Sequence, residues 1–235
     1  GFCGRTSTSG LAIFNGRFRR CVPTSLRVVR RSRFSSWMLI WLLKTPRAMQ
    51  KVRDEVAESV AKLGEYDPLT ISELPYITAC LNESQRLSPS APATVRWLTE
   101  DTQLGKWLMP AGTCVAPCMY LTQRRKDVFG EDAHEYRPER WLDGSCKPKP
   151  WEFFPFGGGR RACAGMAQAR QQLRIILAEI VRRVTFESNE DYIHNDQLPT
   201  PRLVGGQTEP KDGVLVTVKE VKPVTAGLPE MRRSA

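Results

Sequence analysis

The sequence predicts a mainly α-helical fold with small β-sheets. Apolar residues recur at helical spacing in three separate stretches. Short β-branched runs sit beside Pro and Gly turn signals. The 235 residues are 41% hydrophobic and 26% charged, the balance of a globular chain long enough to bury a core.

The elements follow in chain order. Trp37 to Leu43 is the longest apolar run, and Lys44 stops it. It falls short of the roughly 18 apolar residues that a membrane span needs. Thr45-Pro46 reads as an N-cap and a first helical proline. Met49, Val52, Val56, Val60 and Leu63 then mark one helical face, and Gly64 stops it. Asp67-Pro68 predicts a turn. A second helix is expected from near Ser72, with Glu73 in its first turn and Leu74, Ile77, Leu81 and Leu87 on its buried side. Pro89 and Pro92 end it. Thr94 to Leu98 reads as a strand, Pro110-Ala111-Gly112 as a turn, and Thr113 to Ala116 as a second short strand. Residues 124–155 are irregular and rich in Pro, Gly and charge; so long a segment needs something specific to hold it down. A third helix starts just after Cys163, with Leu173, Ile176, Leu177, Ile180, Val181 and Val184 as its apolar face. Val214 to Val218 alternates as a strand, and residues 223–235 form a polar tail.

The net charge of +10 is unevenly spread. Residues 1–36 hold eight Arg and nine Ser or Thr with no acid, whereas the remainder carries 27 basic and 25 acidic residues. Nucleic-acid recognition needs a basic stripe on a folded face with aromatics between the charges. The basic run has no apolar period, so nucleic acid is not an expected partner. Residues 1–36 are compatible with a mitochondrial-type transit segment, a disordered arm, or a stretch foreign to the fold.

Seven Cys without a secretory segment argue against a disulfide framework. With only His134 and His194 in the chain, a Cys/His zinc site is poorly supported. Cys114 and Cys118 have no second pair to complete a ligand set and read as buried free thiols.

The stretch that carries chemistry is Phe156-Gly157-Gly158-Gly159-Arg160-Arg161-Ala162-Cys163-Ala164-Gly165. A Gly-rich loop delivers a Cys to a helix N-terminus, where free amides and the helix dipole favour an anion. Arg160 and Arg161 add positive charge. A thiolate held this way can attack a substrate or ligate a metal. A phosphate cradle is the competing reading, but it gives the Cys no role and the P-loop Lys-Ser/Thr pair is missing.

This stretch matches FxxGxRxCxG, the haem-ligand signature of the cytochrome P450 family, at Phe156, Gly159, Arg161, Cys163 and Gly165. Upstream, Glu83-Ser84-Gln85-Arg86 matches ExxR, and Pro138-Glu139-Arg140-Trp141 matches the PERF/PERW element. In this order the chain resembles the C-terminal half of a cytochrome P450 of eukaryotic microsomal type, over residues 37–222.

The resemblance implies haem b, iron protoporphyrin IX, with Cys163 as the iron ligand. It places Arg161 and Arg96 on the haem propionates and Phe156 beside the thiolate. Glu83, Arg86 and Arg140 become a buried ionic network pinning the irregular segment. Ala91 to Val95 and the loop at Gly205-Gly206 would line a pocket for a small hydrophobic substrate. The implied activity is a monooxygenase that inserts one oxygen atom from O2 into an organic substrate. The implied partner is an NADPH-dependent flavoprotein reductase, for which Lys147, Lys149, Arg160, Arg170 and Arg174 offer a basic surface. A full-length form is expected at the endoplasmic reticulum membrane, although the chain has no anchor of its own.

The family's distal helix carries an acid-Thr pair above the haem. Here Val28 to Ser36 stands in its place, with several Arg and neither an acid nor a Thr. Residues 1–36 are therefore read as outside the fold, and no catalytic residue is assigned. A non-catalytic fragment and a haem-thiolate isomerase or dehydratase, which needs no distal Thr, are the alternatives.

Overall fold

Proline starts three helices. Pro46, Pro68 and Pro75 each occupy a first turn, where no N–H is needed and the ring presets φ. The structure is a computed structural model and describes residues 26–28, 33–64, 67–187, 198–211 and 213–221. The chain runs through β1 (Leu26–Val28), α1 (Arg33–Lys44), α2 (Pro46–Leu63), α3 (Pro68–Ser72) and α4 (Pro75–Leu87). A strand-rich stretch follows: β2 (Arg96–Trp97), β3 (Thr102–Leu104), β4 (Trp107–Met109) and β5 (Cys114–Val115). The short α5 (Met119–Thr122) and α6 (Lys126–Phe129) lead to α7 (Met166–Arg183). Strands β6 (Val184–Glu187), β7 (Pro201–Val204), β8 (Gln207–Pro210) and β9 (Val214–Val221) close the described chain. The fold is mainly α with small antiparallel sheets, as the sequence predicts.

Trp37 to Leu42 is buried on every side of α1. A helix apolar all round belongs in a core, and α1 touches α2, α4, α7, β8 and β9. Its Met38 and Leu42 join Val52 and Val56 of α2, Ile71 of α3, Ile77 and Leu81 of α4, and Leu177 and Val181 of α7 in one cluster. Its Trp37, Leu39 and Ile40 pack instead on Val214 and Val216 of β9. β9 lies between β1 and β6 in a three-stranded sheet, while β2–β5, β3–β4 and β7–β8 are two-stranded. Gly205 and Gly206, at φ 57° and 75°, form the tight turn of the β7–β8 hairpin.

Several expectations are corrected. The second helix starts at Pro75, not near Ser72. Leu74, held extended at ψ 135° as residues before proline are, breaks the helix there. Asp67-Pro68 opens the separate turn α3, with the Asp67 carboxylate accepting from the Leu69 and Thr70 amides. Ile176 is exposed on α7, because the buried stripe runs through Leu173, Leu177, Ala178 and Val181. Cys114 is exposed and Cys118 half-buried, neither a core thiol. The folded body reaches upstream of Trp37: α1 begins at Arg33, and Leu26↔Val216 to Val28↔Val214 pair β1 with β9. The rest of the Arg-rich start and the polar tail lie outside the described residues.

Leu177 is fully buried among four helices. Leu177→Ala is expected to cost about 2–5 kcal/mol, against less than about 0.5 kcal/mol for Ile176→Ala. Urea unfolding midpoints of the two variants check the difference.

Candidate functional site

Glu83 and Arg86 lie one turn apart on α4 and so face the same neighbour. That neighbour is the stretch between α5 and the Cys loop. Arg86 grips the Glu83 carboxylate with two bonds, Nε to Oε2 at 2.9 Å and Nη2 to Oε1 at 2.8 Å. Arg140, delivered by a single 3-10 turn at Pro138–Trp141, adds Nε to Oε1 at 3.0 Å. The Arg137 amide and the Trp141 indole donate to the same carboxylate at 3.0 and 2.9 Å. All three charged side chains are wholly buried.

The guanidiniums spend their other donors on backbone carbonyls. Arg86 donates to the carbonyls of Gln123, Ala133 and Glu135 at 3.0, 2.6 and 3.1 Å. Arg140 donates to those of Phe129 and Asp132 at 2.6 and 3.0 Å, and to the Asp132 carboxylate at 3.1 Å. Five carbonyls between 123 and 135, which no strand or long helix could satisfy, thus find donors. Burial opposes the Arg140 charge, but Glu83 and Asp132 outweigh it and hold its pKa above the ordinary value. Arg86 also lies 5.0 Å over the Phe129 ring.

Two parts of this framework escaped the sequence reading. Gln123 is wholly buried and bridges α4 to the approach of the Cys loop. Glu139, the acid of the Pro138–Trp141 turn, accepts on Oε1 from Lys51 at 2.7 Å, Arg47 at 2.9 Å and Tyr76 at 3.0 Å. Burial alone would raise its pKa, but these donors, with a backbone amide, bring it down to about 2.

The Cys loop follows. The Cys163 amide donates back to the Phe156 carbonyl at 2.9 Å, which closes residues 157–162 into a ring. Gly157 and Gly159, at φ 75° and 64°, make the turns that an L side chain would resist. The loop presents Cys163 exposed, three residues ahead of α7. Residues 158–168 are exposed throughout. A Cβ on Gly157 would lie 4.0 Å from the Thr94 methyl, so the lead into β2 lies against the loop. The Arg96 guanidinium on β2 donates to the carbonyl of its neighbour Val95 at 2.9 Å. Among the described residues, Arg96 and Arg161 have no carboxylate partner. Arg170 of α7 lies 5.5 Å over the Phe156 ring.

A family model described as Cytochrome P450 matches residues 32–215. The chain belongs to the cytochrome P450 family. Over 167 residues it is 36% identical to the mitochondrial 1,25-dihydroxyvitamin D(3) 24-hydroxylase of Rattus norvegicus, covering 71% of this chain and 31% of that protein. It is 34% identical over 150 residues to the methyltetrahydroprotoberberine 14-monooxygenase of Papaver somniferum, covering 62% and 28%. A self-sufficient cytochrome P450 monooxygenase of Oidiodendron maius is 36% identical over 162 residues, covering 67% and 15%. The chain thus spans a third or less of the length of these cytochrome P450 relatives. Cytochromes P450 hold haem iron through a Cys thiolate.

Two outcomes test this framework. Glu83→Ala strands two buried guanidiniums and is expected to cost about 3–5 kcal/mol; a loss below about 0.5 kcal/mol in urea unfolding, the worth of an exposed i,i+3 pair, contradicts the network. For Glu139, the folded pKa of about 2 lies below the unfolded carboxylate value. Its contribution is therefore complete above the unfolded pKa, near 4.3, and disappears as pH falls from there through the folded value. The stability gap between wild type and Glu139→Gln is expected to shrink over that window. Thermal melts at stepped pH measure it.

Proposed function

We propose that this chain is the haem-binding portion of a haem-thiolate monooxygenase, with Cys163 as the iron ligand. The observation that carries the reading is the Cys loop itself. An exposed thiol stands before the first turn of α7, on a backbone ring closed from Phe156 to Cys163. The residues fit the group. Gly165 has an ordinary φ of −87°, and a Cβ there would meet Cys163 Sγ at 4.0 Å. Among the described residues nothing calls for glycine at that position, which suits a flat ligand seated against the sulfur. Arg161 and Arg96 supply charge for the propionates of haem b, and Phe156 covers the thiolate side. Gly159 turns the loop so that its backbone can approach the ring.

When bound, haem supplies the oxygen chemistry, and its thiolate ligand favours O–O cleavage. The chain's own contribution is to hold the sulfur. The amides at the start of α7 have no partner within the helix and favour the anion. Glu83, Arg86 and Arg140 act at a distance by keeping residues 123–135 in place. The expected substrate is small and hydrophobic, entering past Ala91 to Val95 and the Gly205-Gly206 turn. Monooxygenation is favoured over isomerisation or dehydration because the three relatives above are named as a hydroxylase and two monooxygenases.

Electron delivery is assigned to an NADPH-dependent flavoprotein reductase meeting Lys147, Lys149 and Arg160. Arg174 contributes less to that surface than its charge suggests, because it donates to Thr78 Oγ1 at 3.2 Å and Glu73 at 3.4 Å. No helix among the described residues is long and apolar enough to cross a membrane. We assign the complete protein to the endoplasmic reticulum membrane. One relative's name says mitochondrial, and fractionation of cells expressing the complete protein distinguishes the two.

The test is spectroscopic. The haem-loaded, reduced chain with CO is expected to show the red-shifted Soret band of thiolate ligation, and Cys163→Ser to abolish the shift. An unchanged band in Cys163→Ser contradicts the assignment of the ligand.

A further inference from the structure

The end of α4 and the start of the Cys loop are joined by one side chain. The last carbonyls of a helix have no partner within it. On α4 those of Gln85 and Arg86 accept from Gln123 Nε2 at 3.1 and 3.4 Å. Arg124, the next residue, donates to the Leu87 carbonyl. The other end of the same amide, Gln123 Oε1, accepts the Phe154 N–H at 3.1 Å. The Gln123 carbonyl is meanwhile held by Arg86 Nη1 at 3.0 Å. Gln123 is wholly buried, and its bonds to the Gln85 and Arg86 carbonyls and from Arg86 are shielded from water.

From Phe154 the connection continues to the thiol. The Phe154 carbonyl accepts the Gly157 N–H at 2.8 Å, and the Phe156 carbonyl accepts the Cys163 N–H at 2.9 Å. A hydrogen-bonded path from the buried ion network to Cys163 therefore runs through the neutral amide of Gln123. We propose that Gln123 is a positioning residue: it fixes the Cys163 loop against the C-terminal end of α4 and so sets where the thiolate stands. The inference rests on the reading of Cys163 as the iron ligand only for its consequence, not for its geometry.

The geometry also says what a substitution does. Gln123→Met nearly keeps the volume but takes the partner from the Phe154 N–H and leaves two buried helix-end carbonyls without the Gln123 donor. Gln123→Glu keeps an acceptor for the Phe154 N–H. Amide exchange by NMR on the 235-residue chain without haem reads the clamp directly. In Gln123→Met, Phe154 and Cys163 are expected to exchange at least tenfold faster relative to Val52, a core amide of α2. In Gln123→Glu the Phe154 ratio stays within about threefold of wild type. Leu177→Ala, which loosens the core without touching the clamp, controls for general destabilisation. A Gln123→Met ratio equal to wild type, or raised no more than in Leu177→Ala, overturns the proposal. Should Gln123→Met not fold, a tenfold rise of the Phe154 ratio in Gln123→Glu overturns it instead.

The consequence for the thiolate is read separately. Haem-loaded Gln123→Met is expected to shift from the thiolate to the neutral-thiol form of the reduced CO spectrum. Retention of the wild-type spectrum with loosened loop amides overturns the positioning role. A wild-type chain without the thiolate band overturns the haem reading alone, and the exchange ratio still decides the clamp.

Discussion

A carboxylate buried between two guanidiniums costs several kcal/mol of desolvation per ion, and in stability the arrangement does little better than break even. Its worth in this chain lies in what it holds. Glu83 accepts from Arg86, Arg140, the Arg137 amide and the Trp141 indole. The guanidiniums then reach five carbonyls of a segment with little regular structure of its own. The apolar anchors there are few: Phe129, Ala133 and Cys146, backed by Trp141 and Phe153. Removing the ion network leaves the carbonyls of Gln123, Phe129 and Ala133 buried without the guanidinium donors, which the small cluster cannot offset.

The network and the core are joined through α4. One side of that helix gives Ile77, Cys80 and Leu81 to the central cluster with α1, α2 and α7. The other side carries Glu83 and Arg86. The helix is also fixed at both ends from outside. Glu55 of α2 accepts the Tyr76 and Ile77 amides at 2.8 and 3.0 Å, and Gln123 covers the last carbonyls. A shift of α4 would therefore move the core, the irregular segment and the Cys loop together. This coupling explains why so small a set of residues can position an exposed thiol.

Much of this was legible in the sequence, for identifiable reasons. Helical periodicity located α2 and α7, because their buried faces repeat at fixed spacing. The Glu83, Arg86 and Arg140 network was legible only through the family resemblance, because an i,i+3 Glu/Arg pair is by itself common on any helix surface. Periodicity alone overestimates a face, however, and Ile176 lies to the side of the α7 stripe. The start of α4 was misread although Leu74-Pro75 announced it. The β3–β4 and β7–β8 hairpins were missed because their strands are mostly exposed and carry no apolar alternation. Gln123 and the carbonyl acceptors had no readable signal: a backbone carbonyl is the same in every residue, and only the fold brings it to a donor.

The central claim is that this framework exists to hold the Cys163 sulfur on haem iron. Iron X-ray absorption of the haem-loaded ferric chain tests it most directly. One sulfur scatterer in the iron's first shell, replaced by a light atom in Cys163→Ser, is the predicted result. A wild-type first shell of nitrogen and oxygen alone, or sulfur that persists in Cys163→Ser, would contradict the account.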